Sequence, residues 1–162
     1  MIILGIDPGY GIVGYGVISS VNGVPSPLGH GAITTPSDMP LPERLEVIYR
    51  DMNTLLDHFK PHAAAVEQLF YQHNQTTVIQ VAEARGVILL ALREHGVETF
   101  EYTPMQVKMA LTGYGKATKK QMMELTRMRL RLAEVPKPDD AADALALALT
   151  LSGSSPLARK LV

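Results

Sequence analysis

The apolar pattern of this chain changes period once, near residue 36, and that change restricts the possible folds more than any other feature. Before it, apolar runs at 2–6, 13–19 and about 29–35 read as strands. Pro8-Gly9-Tyr10-Gly11 separates the first two, and Asn22-Gly23 followed by two prolines separates the next two, so both connections are short turns. Three consecutive strands joined in this way form an antiparallel meander. After the change, Leu41, Leu45, Ile48, Met52, Leu55 and Phe59 recur at steps of three and four, an amphipathic helix that Pro61 stops. A short buried strand at 63–66 ends on Glu67, and a polar loop over 68–77 leads to a helix over about 77–94. A strand at 97–102, a helix opening near Pro104, a helix over 118–132 and a last helix over 139–151 complete the series. The order βββαβαβ followed by helices predicts an α/β protein built on a five-stranded mixed sheet, antiparallel over its first three strands and parallel thereafter. With 162 residues, 46% of them apolar, a single domain over 1–151 has enough material for a core, and 152–162 reads as a flexible tail.

Several function classes drop out. With no Cys there are no disulfides, Cys-zinc sites, iron–sulfur clusters or thiol nucleophiles. No apolar run reaches the length of a membrane span, and the longest, over 141–151, is interrupted by Asp143. The N-terminal stretch lacks the basic flank and cleavage site of a signal peptide, so a cytoplasmic protein without a membrane association is expected. His58 and His62 have metal-pair spacing, but Pro61 breaks the helix such a pair needs, so they read as surface residues. The helix over 77–94 is apolar all round in its second half, 87–92. It serves either as a partner surface or as a helix buried between layers. Gly86 within it costs about 1 kcal/mol of helix propensity, which suits a close approach of another backbone.

Four carboxylates stand out. Asp7 closes the first strand and Glu67 the fourth, and strand ends open into the crevice where α/β proteins bind ligands. Asp140 and Asp143 lie three apart and share one face of the last helix. Capping and the helix dipole account for Asp140 as well as a site does. They do not account for Asp143, which sits in Ala-Ala-Asp-Ala-Leu-Ala where an unpaired carboxylate is costly to bury, so something cationic is expected to face it. Carboxylates converging on one crevice repel one another, and a hard divalent ion bound by oxygen alone removes the conflict, which favours magnesium or manganese over zinc.

The residues that carry these features also match a known family. Ile-Leu-Gly-Ile-Asp-Pro-Gly at 3–9, Gly-Tyr-Gly-Val-Ile at 14–18, Val-Glu-Gln-Leu-Phe at 66–70, Ala-Arg-Gly-Val at 84–87, Gln-Val-Lys at 106–108 and Asp-Ala-Ala-Asp-Ala-Leu-Ala at 140–146 occur in order. Together they make the chain resemble the bacterial RuvC family of Holliday junction resolvases, through about residue 151. The resemblance implies an RNase H-like fold, a homodimer through the helix around Arg85 and Leu92, and a magnesium-dependent endodeoxyribonuclease with two ions per site, for which manganese can substitute. It implies resolution of four-way junction DNA by two symmetry-related nicks, in partnership with the RuvA–RuvB branch-migration complex. The family's catalytic and metal-binding acids fall on Asp7, Glu67, Asp140 and Asp143, its DNA-contacting aromatic on Phe70, and its important basic residues on Lys108 and Lys119. Asp139 matches no family role and reads as a solvated acid or an N-cap.

On this reading Asp7, on the central strand, bridges two ions in phosphodiester hydrolysis. Lys119 offsets charge on the scissile phosphate or is an ordinary solvated lysine. Phe70 and Tyr71, beside the acids, stack on an unpaired base; the alternative for Phe70 is a place in the core. Lys116 and Lys120 are further DNA-contact candidates. The alternatives are a YqgF-like nuclease that processes ribosomal RNA and a non-catalytic dimeric junction binder. An actin-like ATPase would need two such domains. The net charge of −1 conceals a strong asymmetry: residues 102–137 hold eight basic and two acidic side chains, and the rest of the chain seven and fourteen. A basic stretch for phosphates beside an acidic centre is the pattern of a metal-dependent protein that handles nucleic acid.

Overall fold

The computed structural model describes residues 1–69 and 77–154. Strands β1 (Ile2–Asp7), β2 (Ile12–Val21) and β3 (Val24–Thr34) form the antiparallel meander. Helix α1 (Leu41–Phe59) crosses to β4 (Ala63–Glu67), and α2 (Val78–Glu94) crosses to β5 (Glu98–Tyr102), each new strand pairing in parallel. Helices α3 (Pro104–Thr112), α4 (Lys119–Arg129) and α5 (Asp139–Gly153) follow. The strand order β3-β2-β1-β4-β5 makes β1 the central strand and is the expected RNase H-like arrangement.

The hairpin between β2 and β3 is tighter than the sequence suggests. Only Asn22 and Gly23 turn, with φ of 52° and 79°, and the following prolines lie inside β3. Proline cannot donate to a ladder, but β3 is an edge strand, and Pro27 adjoins the register shift at Val17/Ile18 that leaves Leu28 without a partner in β2. Helix α4 ends at Arg129, where Leu130 closes it, short of the expected 132. Helix α5 runs through Gly153, two residues past the expected boundary, and Ser152 Oγ donates to Ser20 Oγ at 3.0 Å. The remainder of the expected tail, 155–162, lies outside the described residues.

The two faces of the sheet carry separate cores. Ile3, Ile18, Ala63, Ala65, Phe100 and Tyr102 pack against α3, α4 and α5. Leu4, Ile6, Val13, Val17, Ala64 and Val66 pack against α1 and α2. On the first face α5 lies directly on β1 and β2. A Cβ at Gly5 would overlap the carbonyl oxygen of Ala144, and one at Gly14 would overlap that of Asp140. Two strand residues without side chains therefore let the helix backbone touch the sheet. This contact fixes which end of α5 lies over which end of β1, and so places the helix's acids.

Candidate active site

Side chains alternate across a strand, so parity decides where Asp7 and Glu67 point. Along β1, Ile3 and Gly5 face α5, and Asp7 continues that series; along β4, Ala63 and Ala65 do the same for Glu67. The parallel register pairs Ile6 with Val66, which sets the two acids side by side at the same end of the sheet. Asp7 also lies opposite Gly14 in β2, and Gly14 is where the first turn of α5 presses on the sheet. The start of α5, with Asp140 and Asp143, is thereby delivered to the Asp7 and Glu67 end.

All four acids interact. Burial, then the charges of Glu67 and Asp143, a hydrogen bond to Glu67 and the charge of Asp140 push the Asp7 carboxyl up to about 8. Burial also raises Glu67, against the effect of its hydrogen bond with Asp7. Asp143 is raised by burial too, although Lys119 opposes the shift. Among the described residues, no three His, Asp or Glu side chains are gathered closely enough to hold one metal ion as they stand. The charge is divided instead. Asp7 and Glu67 are joined by a hydrogen bond, and Asp143 pairs with Lys119 Nζ at 3.3 Å. Lys119 is the cation that the position of Asp143 calls for.

Lys119 also reaches Asp139 at 3.3 Å. Asp139 is therefore an ion-pair partner rather than a cap; Pro138 occupies the N-cap position and no side chain caps the helix there. Lys119 itself is fixed as the first residue of α4, behind a capping box in which Thr118 and Gln121 satisfy each other's backbone N–H groups. A second capping box, Thr103 with Gln106, starts α3, the helix that carries Lys108. Glu67, Asp143, Lys108 and Lys119 line a cavity of ≈ 230 Å³ with Pro104, Val107, Met122, Ala146 and Leu147. Two acids, two lysines and apolar side chains thus share one cavity.

The remaining sequence candidates divide. Lys116 and Lys120 are exposed near the start of α4. Phe70 and Tyr71 lie outside the described residues. His62 is occupied structurally, its Nδ1 accepting from the backbone N–H of Ile2 at 3.1 Å. Of the two readings of α2, burial between layers does not hold. Ala84, Ile88, Ala91 and Leu92 are buried, while Ile79, Ala82, Gly86 and Leu90 form an exposed stripe. Sequence reasoning placed Arg85 only on the dimer helix and missed its partners: its Nη2 meets Glu101 Oε2 at 2.9 Å and its Nε donates to the backbone oxygen of Glu67 at 3.4 Å. Its only sequence signal was its place in the Ala-Arg-Gly-Val motif.

Known proteins resemble this chain over most of its length. The family described as crossover junction endodeoxyribonuclease RuvC matches residues 3–151. The crossover junction endodeoxyribonuclease RuvC of Brevibacillus brevis is 52% identical over 150 residues, covering 93% of this chain and 90% of its own. That of Thermotoga maritima is 51% identical over 146 residues, covering 90% and 87%. Among solved structures, T. thermophilus RuvC in complex with Holliday junction substrate superposes with a TM-score of 0.93 at 35% identity, covering 100% of this chain and 99% of that one. The yeast mitochondrial Holliday junction resolvase, 15% identical with a TM-score of 0.65 and covering 93% and 78%, shares the fold. With the acids at the strand ends, the helix laid across β1 and β2, and half of its residues shared with curated relatives, this chain belongs to the RuvC family of crossover junction endodeoxyribonucleases.

Proposed function

We propose that this protein is an endodeoxyribonuclease that resolves four-way DNA junctions in recombination and repair by paired, symmetrical nicks. The observation that carries this reading is the convergence of Asp7, Glu67, Asp140 and Asp143 at one end of one sheet face, beside a cavity lined by Lys108 and Lys119.

The donor set is oxygen only, and three of its members are held above their ordinary carboxylate range by burial and mutual repulsion. A hard divalent cation suits such a set, magnesium first and manganese as its substitute. Asp7, Glu67, Asp140 and Asp143 would hold two ions. When bound, these supply an activated water and stabilise the leaving 3′ oxygen. The chain's own contribution is to gather the acids, to shed the proton held by Asp7, and to release Asp143 from Lys119. Lys119 then faces the scissile phosphate, and Lys108 positions the backbone across the cavity from the acids. Val107, Met122 and Leu147 keep bulk water from that side.

Three further parts of the reading concern assembly and substrate. The exposed stripe of α2 pairs with its counterpart in a second copy, giving two sites related by two-fold symmetry, as a junction requires. Any Cβ at Gly86 would meet nothing within 4 Å, so a partner backbone has room to approach there. Phe70 and Tyr71 stack on an unpaired base, with Lys116 and Lys120 holding flanking phosphates, and RuvA–RuvB is the branch-migration partner that family membership implies. The test is cleavage of a synthetic mobile four-way junction, with and without Mg²⁺. Symmetrical nicks that require the metal are expected. Intact strands in saturating Mg²⁺ and Mn²⁺, with the junction bound, would defeat the nuclease reading and leave a junction-binding protein.

A further inference from the structure

We infer that Arg85, clamped by Glu101, is a positioning residue for Glu67, acting on the end of β4 from the face of the sheet opposite the carboxylates. The inference rests on the reading of Glu67 as part of the nuclease centre. Parity again sets the geometry. Phe100 and Tyr102 of β5 face α3 and α5, so Glu101 between them faces α2, where Arg85 lies. The two side chains are only 15% and 13% exposed and meet at 2.9 Å. An ion pair this enclosed holds the planar guanidinium in one orientation. Its Nε is then directed at the backbone oxygen of Glu67, 3.4 Å away.

That oxygen sits where the sheet offers little other support. Pairing of β4 with β1 ends at Val66, one residue short of Glu67. On the other side the last rungs are the Glu67 and Tyr102 register pair and the bond from Gln68 N–H to the Tyr102 oxygen at 2.9 Å. Glu67 is thus the terminal residue of its strand, tied to β5 on one edge, and Arg85 is the tie from α2. The contact to the Glu67 oxygen is long and weak by itself. Its effect comes from the Glu101 clamp, which makes it directional. Groups that orient a metal-binding side chain without touching the ion commonly contribute about 10–100-fold in metal affinity or activity.

The experiment compares wild type with Arg85→Lys, Glu101→Gln and the double variant Arg85→Met/Glu101→Leu. A buried ion pair replaced as a pair by apolar side chains commonly keeps its stability, so the double variant separates positioning from folding. Three quantities are read: single-turnover junction cleavage against metal concentration, the rise in thermal midpoint on adding Mn²⁺, and junction affinity in chelator. The expected result is a metal half-saturation raised and a cleavage rate lowered by about 10–100-fold. The midpoint in chelator and the junction affinity should be retained, with Arg85→Lys less affected than the double variant. Folded variants with the wild-type metal response would overturn the inference. So would losses of midpoint and junction affinity with an unchanged half-saturation, the pattern of a merely structural pair. A wild type that takes up metal yet never cuts defeats the nuclease reading instead, and the Mn²⁺ response still decides the role of Arg85.

Discussion

Helices α2 and α5 are both apolar around most of their circumference, yet they end in opposite situations. Ten residues of α5 are buried, because it lies on β1 and β2 with α3 and α4 packed over it. Only Ala84, Ile88, Ala91 and Leu92 of α2 are buried, and Ile79 and Leu90 stand 67% and 53% exposed. Each helix also depends on glycine, in opposite ways. The glycines that serve α5 are in the strands beneath it and leave no room for a Cβ, whereas Gly86 is in α2 itself and faces open space. An apolar helix is covered by its own domain where strand glycines let its backbone lie on the sheet. Where it is left over, the same composition makes a surface for something else.

The sharpest test concerns the site that α5 completes. Asp7→Asn removes the carboxyl that faces the acids of α5 and should lower junction cleavage by about a thousandfold or more, about 4 kcal/mol of transition-state stabilisation. Junction binding in a gel-shift assay should be equal or tighter. Normal cutting by this variant would break the assignment of the site. On the α2 side, Leu90→Glu places a charge on the exposed stripe and should convert dimer to monomer in sedimentation at micromolar concentrations, with an unchanged circular dichroism spectrum. A dimer that survives would move the interface elsewhere.

The glycines allow a matched pair of measurements. Gly5→Ala sets a methyl against the α5 backbone and should cost about 1–3 kcal/mol in denaturant unfolding. Gly86→Ala meets nothing within the chain and should stabilise the isolated protomer by up to about 1 kcal/mol while weakening association. Equal effects on unfolding would erase the contrast between the two helices.

A further effect is one of pH. A carboxyl raised in the folded state binds its proton more tightly there than in the unfolded chain. Its contribution to stability is therefore complete below about pH 4 and lost as the pH rises to about 8, the folded value of Asp7. Glu67 and Asp143 shift in the same direction. In chelator the thermal midpoint should fall between pH 4 and pH 8, and saturating Mg²⁺ should flatten that fall. A midpoint that rises over this range would mean that burial does not raise these carboxyls.

Much of this was legible from local pattern. Period-two and period-three-to-four spacings mark nearly every element, whereas the Thr-x-x-Gln capping boxes at the starts of α3 and α4 emerged with the structure. The exceptions have causes outside the local sequence. The prolines of β3 read as turn residues because nothing in sequence reveals that a strand will lie at the sheet's edge. Asp139 read as a solvated acid or a cap because the lysine that faces it is twenty residues away.

The sequence alone determined that Asp7 and Glu67 end strands and that Asp140 and Asp143 share a helical face. It also determined that a cation must meet Asp143, because backbone periodicity and the cost of burying charge act within a few residues. Only the tertiary structure decided that these ends coincide, that Lys119 is the cation, and that α5 rather than α2 is enclosed. It alone set Arg85 behind Glu67. Those outcomes depend on strand order and on backbone contact at Gly5 and Gly14, between segments more than a hundred residues apart. No local pattern carries that information, because the free energy that selects it comes from surfaces buried together only when the whole sheet is assembled.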